Sequence, residues 1–117
     1  PVYVWADEFL VEQALNNYIT NAIHYAKNEK LVRITLTDAV DNGVRVSVYN
    51  SGDPIPEESL PHLWEKFYKV DKARTREYGG SGIGLSVVKA VMDSHHRKCG
   101  VQNLPDGVEF WFELDTK

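Results

Sequence analysis

The sequence predicts a two-layer α/β sandwich in which a mostly antiparallel sheet carries its helices on one face. Segments with helical spacing of apolar residues predict the helical layer, and two pairs of alternating segments joined by turns predict the sheet. The 117 residues, of which 43% are hydrophobic and 26% charged, suit one soluble domain with its own core. We therefore expect residues 1–117 to form a single domain, as a fragment of a longer protein.

Composition argues against several other classes of protein. The formal net charge of −4 provides no overall basic field that would attract nucleic acid or an anionic membrane. Cys99 is the one cysteine, so an internal disulfide cannot form. No stretch approaches the roughly 18 apolar residues of a membrane-spanning helix. We expect a domain stabilised by its hydrophobic core, with no nucleic-acid partner.

One short strand and three helices are predicted from local patterns. Pro1 to Trp5 resembles a strand, and Asp7 is an N-cap residue for a helix that runs to about Lys27. A short helix from Pro56 to near Phe67 and a longer one from Gly82 to about Ser94 follow. The residues expected on the buried sides of the two longer helices are Val11, Leu15, Tyr18, Ala22, Leu85, Val88 and Met92.

Two hairpins are predicted to complete the sheet. Asp41-Asn42-Gly43 and Pro105-Asp106-Gly107 are strong turn sequences, and each separates two segments of alternating hydrophobicity. The four strands are expected at residues 31–37, 44–49, 98–103 and 108–114. The side chains expected to face the core from the inner strands are Val44, Val46, Val48, Val108, Phe110, Phe112 and Leu114.

Polar residues form a row along the first helix. Asn17, Asn21, His24 and Asn28 share one helical face, distinct from the apolar stripe. A solvated polar face would explain the row, but a run of amides costs helix propensity. The functional interpretation is a row of carboxamides that meets phosphates and Mg²⁺, which prefers oxygen ligands and keeps several waters.

A glycine-containing loop from Asn50 to Pro56 directly follows the predicted third strand. The Asn50 amide can hydrogen-bond a purine edge, Gly52 lets a flat ring approach the backbone, and Ile55 can pack on the ring face. In isolation the segment also fits an ordinary turn between a strand and a helix.

A second glycine-rich segment, Gly79 to Leu85, opens the last helix. Exposed backbone N–H groups at a helix N-terminus bind phosphate well, whereas repeated glycines are a poor way merely to begin a helix. A flexible loop is the alternative, and the amphipathic helix that follows at once argues against it.

A basic segment lies between the two glycine loops. Residues 71–78 include Lys72, Arg74 and Arg76, and they follow Trp64-Glu65-Lys66-Phe67-Tyr68-Lys69-Val70. Charged runs are most often solvated surface, but this one separates two candidate nucleotide loops. We expect a mobile lid with a cationic inner edge.

The order of these motifs closely resembles that of the catalytic domains of bacterial sensor histidine kinases. The resemblance covers Trp5 to Leu114. Its four segments match the family's N box, first glycine box, F box and second glycine box at residues 17–25, 50–56, 65–68 and 80–85. By this resemblance the fold is the Bergerat ATP-binding sandwich, the cofactors are ATP and Mg²⁺, and the activity is protein histidine kinase.

The resemblance also implies residue roles. Asn17, together with Lys69 near the γ-phosphate, would act in catalysis, Asn21 would be the Mg²⁺ ligand, and Tyr25 would stack on adenine. Asn50 would bind the adenine amino group. The full set expected to contact nucleotide is Asn17, Asn21, His24, Tyr25, Asn50, Gly52, Ile55, Phe67, Tyr68, Lys69, Arg74, Gly80, Gly82, Ile83, Gly84 and Leu85.

Three features depart from the family pattern, and one of them, the lack of the usual glycines at His95-His96-Arg97-Lys98 after the last long helix, is expected to change only a loop. The first glycine box usually begins with Asp, whereas this chain has Asn50, whose carbonyl oxygen can still accept the adenine hydrogen bond. Where many relatives have lysine after the Asn-Ala pair, this chain has His24, a weaker and pH-dependent cation.

The residue at position 17 distinguishes a histidine kinase from an ATPase of the same fold. ATPases of the same fold carry a glutamate base one helical turn before the metal-binding asparagine, and this chain has Asn17 there. An amide cannot act as a general base, whereas an acceptor imidazole is already nucleophilic. This favours phosphoryl transfer to a histidine over ATP hydrolysis. A non-catalytic nucleotide-binding pseudokinase is the remaining alternative.

None of the four histidines, at positions 24, 62, 95 and 96, has the sequence context of a phosphoacceptor. The resemblance therefore implies a separate dimerisation domain that carries the acceptor, and a response regulator as the next partner in two-component signalling. It also implies a homodimeric, membrane-anchored parent protein with this domain in the cytoplasm. His62, His95 and His96 are expected to be ordinary surface residues.

Overall fold

In the part of the chain that the structure describes, a five-stranded antiparallel sheet forms one layer and two α-helices cover one of its faces. The computed structural model describes residues 2–66 and 84–116. In chain order the elements are β1 (Val4–Trp5), α1 (Glu8–Tyr25), β2 (Val32–Ala39), β3 (Gly43–Ser51), a 3-10 helix (Glu57–His62), α2 (Gly84–Ser94), β4 (Cys99–Leu104) and β5 (Gly107–Thr116). The predicted α/β sandwich is confirmed.

Strand β5 lies inside the sheet and pairs with other strands along both of its edges. One of its edges pairs with β3, and β2 lies beyond β3 at the margin. Its other edge is divided between β4, which pairs with residues 107–112, and β1, which pairs with residues 115–116. Both predicted hairpins are present. Asp41 and Asn42 adopt the left-handed backbone that the first hairpin turn requires, with φ values of 60° and 57°.

The core lies between the helices and the inner faces of β3 and β5. Every strand residue predicted to face inward from these two strands is buried. On α1 the fully buried line is Ala14, Tyr18 and Ala22, while Val11 and Leu15 are half-buried. The stripe is therefore rotated from the predicted one, and its two alanines leave space for the Tyr18 ring against Phe110 and Phe112.

A local contact determines where α1 begins, and a contact with the sheet determines where it ends. The Asp7 side chain accepts a hydrogen bond from the Leu10 N–H at 3.0 Å, which confirms the predicted N-cap. The helix ends at Tyr25, two residues before the expected Lys27. The Lys27 N–H instead donates to the Ser51 carbonyl of β3 at 2.9 Å. Because this N–H bonds to the sheet, Lys27 does not continue the helix.

His95 joins the end of α2 to the start of α1. Its Nε2 accepts from the Asp7 backbone N–H at 3.0 Å, and its Nδ1–H donates to the Val91 carbonyl at 2.8 Å. These two bonds orient the ring of the half-buried His95 between the two helix ends. The prediction of an ordinary surface histidine is wrong for His95, whereas His62 and His96 are exposed.

Two boundaries near the candidate site differ from the sequence-based expectation, and the predicted helix start at Gly82 lies outside the described residues. Asn50 and Ser51 belong to β3 rather than to a loop, because Asn50 pairs with Val32 and with Val108. The short helix is a 3-10 helix that ends at His62 rather than near Phe67. Within the described residues, α2 begins at Gly84, and neither it nor α1 is long and apolar enough to cross a membrane.

Candidate functional site

The asparagine row of α1 meets the beginning of α2. The Asn17 Nδ2 donates a hydrogen bond to the Gly84 carbonyl oxygen at 3.2 Å, across 67 positions of sequence. A methyl group added at Gly84 would lie 4.0 Å from the Asn17 Cγ, so the amide faces the helix start directly. The structure thus brings together two motifs that the sequence placed far apart.

Asn21 and His24 follow Asn17 along α1, and both are half-buried. His24 also lines an open groove at the end of the helix, together with Ile23, Ala26, Lys27, Asn28, Lys30 and Val32. Tyr25, the last residue of α1, is half-buried as well. The predicted polar row therefore extends from the α2 junction to the loop that precedes β2.

The first glycine box is attached to the end of α1 through Ser51. Its hydroxyl donates to the Lys27 carbonyl and accepts from the Leu31 N–H, each at 2.8 Å. Its backbone N–H and carbonyl bond Leu31 and Lys27 in addition. Sequence reasoning assigned Ser51 no role, yet its four hydrogen bonds fix the distance between α1 and the glycine box.

Gly52 is required by both its backbone angle and its surroundings. Its φ of 144° is rarely adopted by residues with a side chain, and an added Cβ would lie 2.9 Å from the Tyr25 carbonyl oxygen. The sequence suggested that Gly52 lets a ligand approach the backbone. In the structure, the missing side chain of Gly52 lets its own backbone pack closely against the end of α1.

Asn50 lies at the floor of this region and is 2% exposed. Its Nδ2 donates to the Ser51 carbonyl at 3.1 Å. An amide is a neutral group, and burying it costs far less than burying the aspartate that usually begins this box. The Asn50 amide can therefore remain buried at the inner wall of the candidate site.

Ile55 is held in place by Asn103 of β4. The Asn103 side chain accepts from the Ile55 N–H and donates to the Ile55 carbonyl, each at 2.9 Å. The pair reproduces the two bonds of a strand partner and leaves Ile55 half-buried against the core. Nothing in the local sequence indicated this role, because the two residues are 48 positions apart.

An exposed ion pair flanks the glycine box. The Lys27 Nζ lies 2.9 Å from the Asp53 Oδ2, with side chains 39% and 70% exposed. A pair so open to solvent contributes little to stability. Lys27 also accepts a hydrogen bond from Ser51 through its carbonyl, so the ion pair lies at the surface of the same junction.

Seven of the predicted contact residues lie outside the described part of the chain. They are Phe67, Tyr68, Lys69, Arg74, Gly80, Gly82 and Ile83. The predicted lid at residues 71–78 lies outside it as well. The segment just before Phe67 is anchored, since Leu63 is buried and Trp64 packs edge-on against Phe110 at 6.2 Å. Leu85 at the start of α2 is half-buried against the core.

The donor chemistry of the site is that of amides. Among residues 2–66 and 84–116, no group of three or more His, Cys, Asp or Glu side chains could hold a metal ion. Asn17 commits its Nδ2 to Gly84, which leaves its oxygen as an acceptor. Such a set fits a hard cation that takes most of its ligands from phosphate and water.

Two titratable groups lie behind the site on the inner side of α1. Burial raises the pKa of the Tyr18 phenol, which is 0% exposed and donates to the Trp111 carbonyl at 2.9 Å. Burial likewise raises the pKa of the neighbouring Cys99 thiol. Both groups are therefore neutral in the folded domain at ordinary pH.

Comparison with known proteins identifies the family. The family model described as histidine kinase-, DNA gyrase B-, and HSP90-like ATPase matches residues 6–117. The sensor histidine kinase YkoH of Bacillus subtilis is 40% identical over 103 residues, which are 87% of this chain and 22% of that protein. The chain spans 20–23% of the length of several curated relatives.

Solved structures agree with the sequence comparison. The catalytic domain of histidine kinase ThkA superposes with a TM-score of 0.81 at 35% identity, over 96% of this chain and 70% of that one. Full-length ShkA, solved in complex with AMPPNP, gives a TM-score of 0.82 at 27% identity, over 99% and 23%. ThkA in complex with the response regulator protein TrrA gives 0.77 at 35%, over 97% and 30%. The chain belongs to the histidine kinase-, DNA gyrase B- and HSP90-like ATPase family, among the catalytic domains of sensor histidine kinases.

Proposed function

We propose that this domain binds ATP with Mg²⁺ and donates the γ-phosphate to a histidine on a separate dimerisation domain of the same sensor kinase. The observation that carries the proposal is the hydrogen bond from Asn17 to Gly84, which joins the asparagine row to the N-terminus of α2. The relative ShkA, solved with AMPPNP, supports a nucleotide in this fold.

The phosphate end of the site is assigned to this junction. A helix N-terminus offers unpaired N–H groups and a favourable dipole to an anion. Asn21 lies one turn beyond Asn17, and its amide oxygen is the group that would hold Mg²⁺. When bound, Mg²⁺ supplies charge neutralisation at the phosphates, which is most of what phosphoryl transfer requires.

The adenine end is assigned to the region around β3. Asn50 would hydrogen-bond the purine, Tyr25 and Ile55 would contact its ring faces, and Gly52 would keep the box close to α1. Ser51 and Asn103 position these groups through the hydrogen bonds described above. The assignments of Lys69, Arg74 and the glycines before Gly84 stay predictions.

Asn17 favours phosphoryl transfer to a histidine over hydrolysis of ATP. Water attack on ATP is assisted by a general base, and an amide whose nitrogen donates to Gly84 cannot serve as one. An imidazole acceptor needs no such base. The domain therefore presents the γ-phosphate and leaves the nucleophile to another domain.

Partners and location follow from the same proposal. The acceptor histidine, a response regulator receiver domain and a membrane anchor would all belong to other parts of the signalling system. ThkA, which has been solved with a response regulator protein, is a relative in which such a partner is present. We propose that this domain works in the cytoplasm as part of a homodimeric membrane sensor.

Calorimetric titration of ATP with and without Mg²⁺ tests the binding step. We expect Mg²⁺-dependent affinity in the wild type and its loss in Asn21→Ala. Asn16→Ala, an exposed neighbour on the same helix, is the matched control and should bind normally. Unchanged affinity in Asn21→Ala would remove the metal role from that residue.

Radiolabelling with ATP tests the transfer step. The isolated domain should not label itself, and labelling should appear on an added dimeric domain that carries the acceptor histidine. Binding without transfer to any such domain would favour the pseudokinase alternative. Steady release of inorganic phosphate would favour an ATPase.

A further inference from the structure

Strand β2 leaves one side of the sheet open. Among the described residues it pairs with β3 on one edge and with no strand on the other. It is eight residues long and contains neither proline nor lysine, two of the devices that protect an edge strand from pairing. Its outer backbone groups are therefore available to another strand.

The apolar side of β2 is also uncovered. Ile34 and Leu36 pair in register with Val48 and Val46, so they point to the helix-covered face of the sheet. Val46 and Val48 are buried, but Ile34 and Leu36 are 50% and 56% exposed. In the described part of the chain, the helices pack over β3 and β5 and leave β2 uncovered. An apolar strip thus runs beside the open edge.

The two ends of β2 carry opposite charge. Lys30 and Arg33 lie at its beginning, and Asp38 and Asp41 lie at its end and in the turn that follows. At about 3.3 Å per residue, Lys30 and Asp38 are at most roughly 26 Å apart along one molecule, too far to pair with each other. Two such strands side by side in antiparallel orientation would place each basic end beside an acidic end.

We propose that two copies of this domain associate edge to edge through antiparallel pairing of β2 with β2, so that one sheet continues across both copies. The register centred on Thr35 places Ile34 opposite Leu36 of the second copy, and Leu36 opposite its Ile34. In the same register Asp38 of each copy lies opposite Val32 of the other, one position from Arg33 and two from Lys30, within reach of a long basic side chain. This surface lies on the opposite side of β3 from β5, so it goes beyond the proposed nucleotide site.

A second copy fits this edge better than a partner of a different kind, because the edge is complementary to itself. A two-fold pairing is closed and uses up both open edges, so it does not propagate into a fibre. The contact uses one eight-residue strand from each copy, against the roughly 20–30 residues per side of a standard interface, so the free domain should associate weakly. We expect a dissociation constant in the range of about 10 µM to about 1 mM.

Sedimentation equilibrium over that concentration range measures the association, and charge exchange identifies the surface. Lys30→Glu and Asp38→Lys should each weaken dimerisation about tenfold, because each change replaces two symmetric attractions with repulsions. The double variant restores opposite charges across the interface and should recover most of the wild-type affinity. Glu12→Lys, an exposed change on α1, is the matched control and should have no effect.

A backbone test is independent of charge. The Ser51 N–H donates to the Leu31 carbonyl, so odd-numbered residues of β2 bond to β3 and even-numbered ones face the open edge. Ile34→Pro therefore removes an outward N–H and should abolish dimerisation, and far-UV circular dichroism and ATP binding would report whether the domain remains folded. Leu36→Lys gives the same test on the apolar strip with no change to the backbone. A monomer at about 1 mM, or a dimer that survives both the charge and the Leu36→Lys variants, would overturn the proposal.

Discussion

The Asn17 side chain donates a hydrogen bond to the Gly84 carbonyl, and this contact joins the two ends of the proposed phosphate site. Gly84 is the first described residue of α2, so this bond ties the Asn17 amide to the start of that helix. A residue first considered for direct contact with phosphate also positions the segment that would bind it.

Removing the donor at position 17 should weaken ATP binding more than it weakens the fold. Asn17→Asp keeps the shape of the side chain but cannot donate to Gly84, and it adds negative charge near the phosphates. We expect a loss of about 0.5–1.5 kcal/mol in the free energy of unfolding and at least about a tenfold loss in ATP affinity. Denaturant titration and calorimetry measure the two effects. Asn16→Asp is the control, and equal losses in both variants would contradict the positioning role.

Glycine at position 52 should contribute substantially to stability, and glycine at position 84 should not. Gly52→Ala forces a side chain into a backbone with φ of 144° and toward the Tyr25 carbonyl, so we expect a destabilisation of about 1–3 kcal/mol. Gly84→Ala meets the Asn17 Cγ at 4.0 Å, an ordinary contact, and alanine favours a helix. Thermal unfolding compares the two. Equal stability of both variants would show that the Gly52 geometry is not needed.

Features set by neighbours in sequence were predictable. The Asp7 cap, the Asp41-Asn42-Gly43 turn and the inward side chains of β3 and β5 all depend on residues within a few positions of one another. The asparagine row was also predictable, because helical periodicity alone places its members on one face. Local chemistry therefore defined the sheet, the helices and one side of the candidate site.

Features set by distant pairing were not predictable. Asn50 looked like a loop residue, but Val108 of β5 and Val32 of β2 extend the strand through it. The edge position of β2 leaves Ile34 half-exposed although its alternation matches that of a covered strand. Ser51 and Asn103 hold the site through bonds to residues 20–48 positions away, and no local pattern marks such bonds.

Loss of Asn103 should loosen the loop that carries Ile55. Asn103→Ala removes both bonds to the Ile55 backbone and leaves two half-buried groups to find water. We expect a destabilisation of about 1–3 kcal/mol and faster amide exchange at Ile55. Gln102→Ala on the same strand removes only an exposed bond to Glu109 and serves as the control. An unchanged rate of amide exchange at Ile55 in Asn103→Ala would contradict the role of Asn103 in holding this loop.

The stability of the domain should fall at alkaline pH because of Tyr18. Burial raises the pKa of this phenol in the folded state, so above the ordinary pKa of about 10 the unfolded chain loses a proton that the folded chain keeps. Stability is then fully present below about pH 10 and falls by up to about 1.4 kcal/mol per pH unit above it. The Cys99 thiol, whose pKa is also raised by burial, acts in the same direction from about pH 8.5.

Variants at the two positions separate these contributions. Tyr18→Phe should lower stability near neutral pH by about 0.5–1.5 kcal/mol, because the Trp111 carbonyl loses its donor, and it should flatten the decline above pH 10. Cys99→Ala should flatten only the earlier part of the decline. Denaturant unfolding at intervals from pH 7 to about pH 11 gives both slopes. A decline above pH 10 that is as steep in Tyr18→Phe as in the wild type would show that other groups control the alkaline transition.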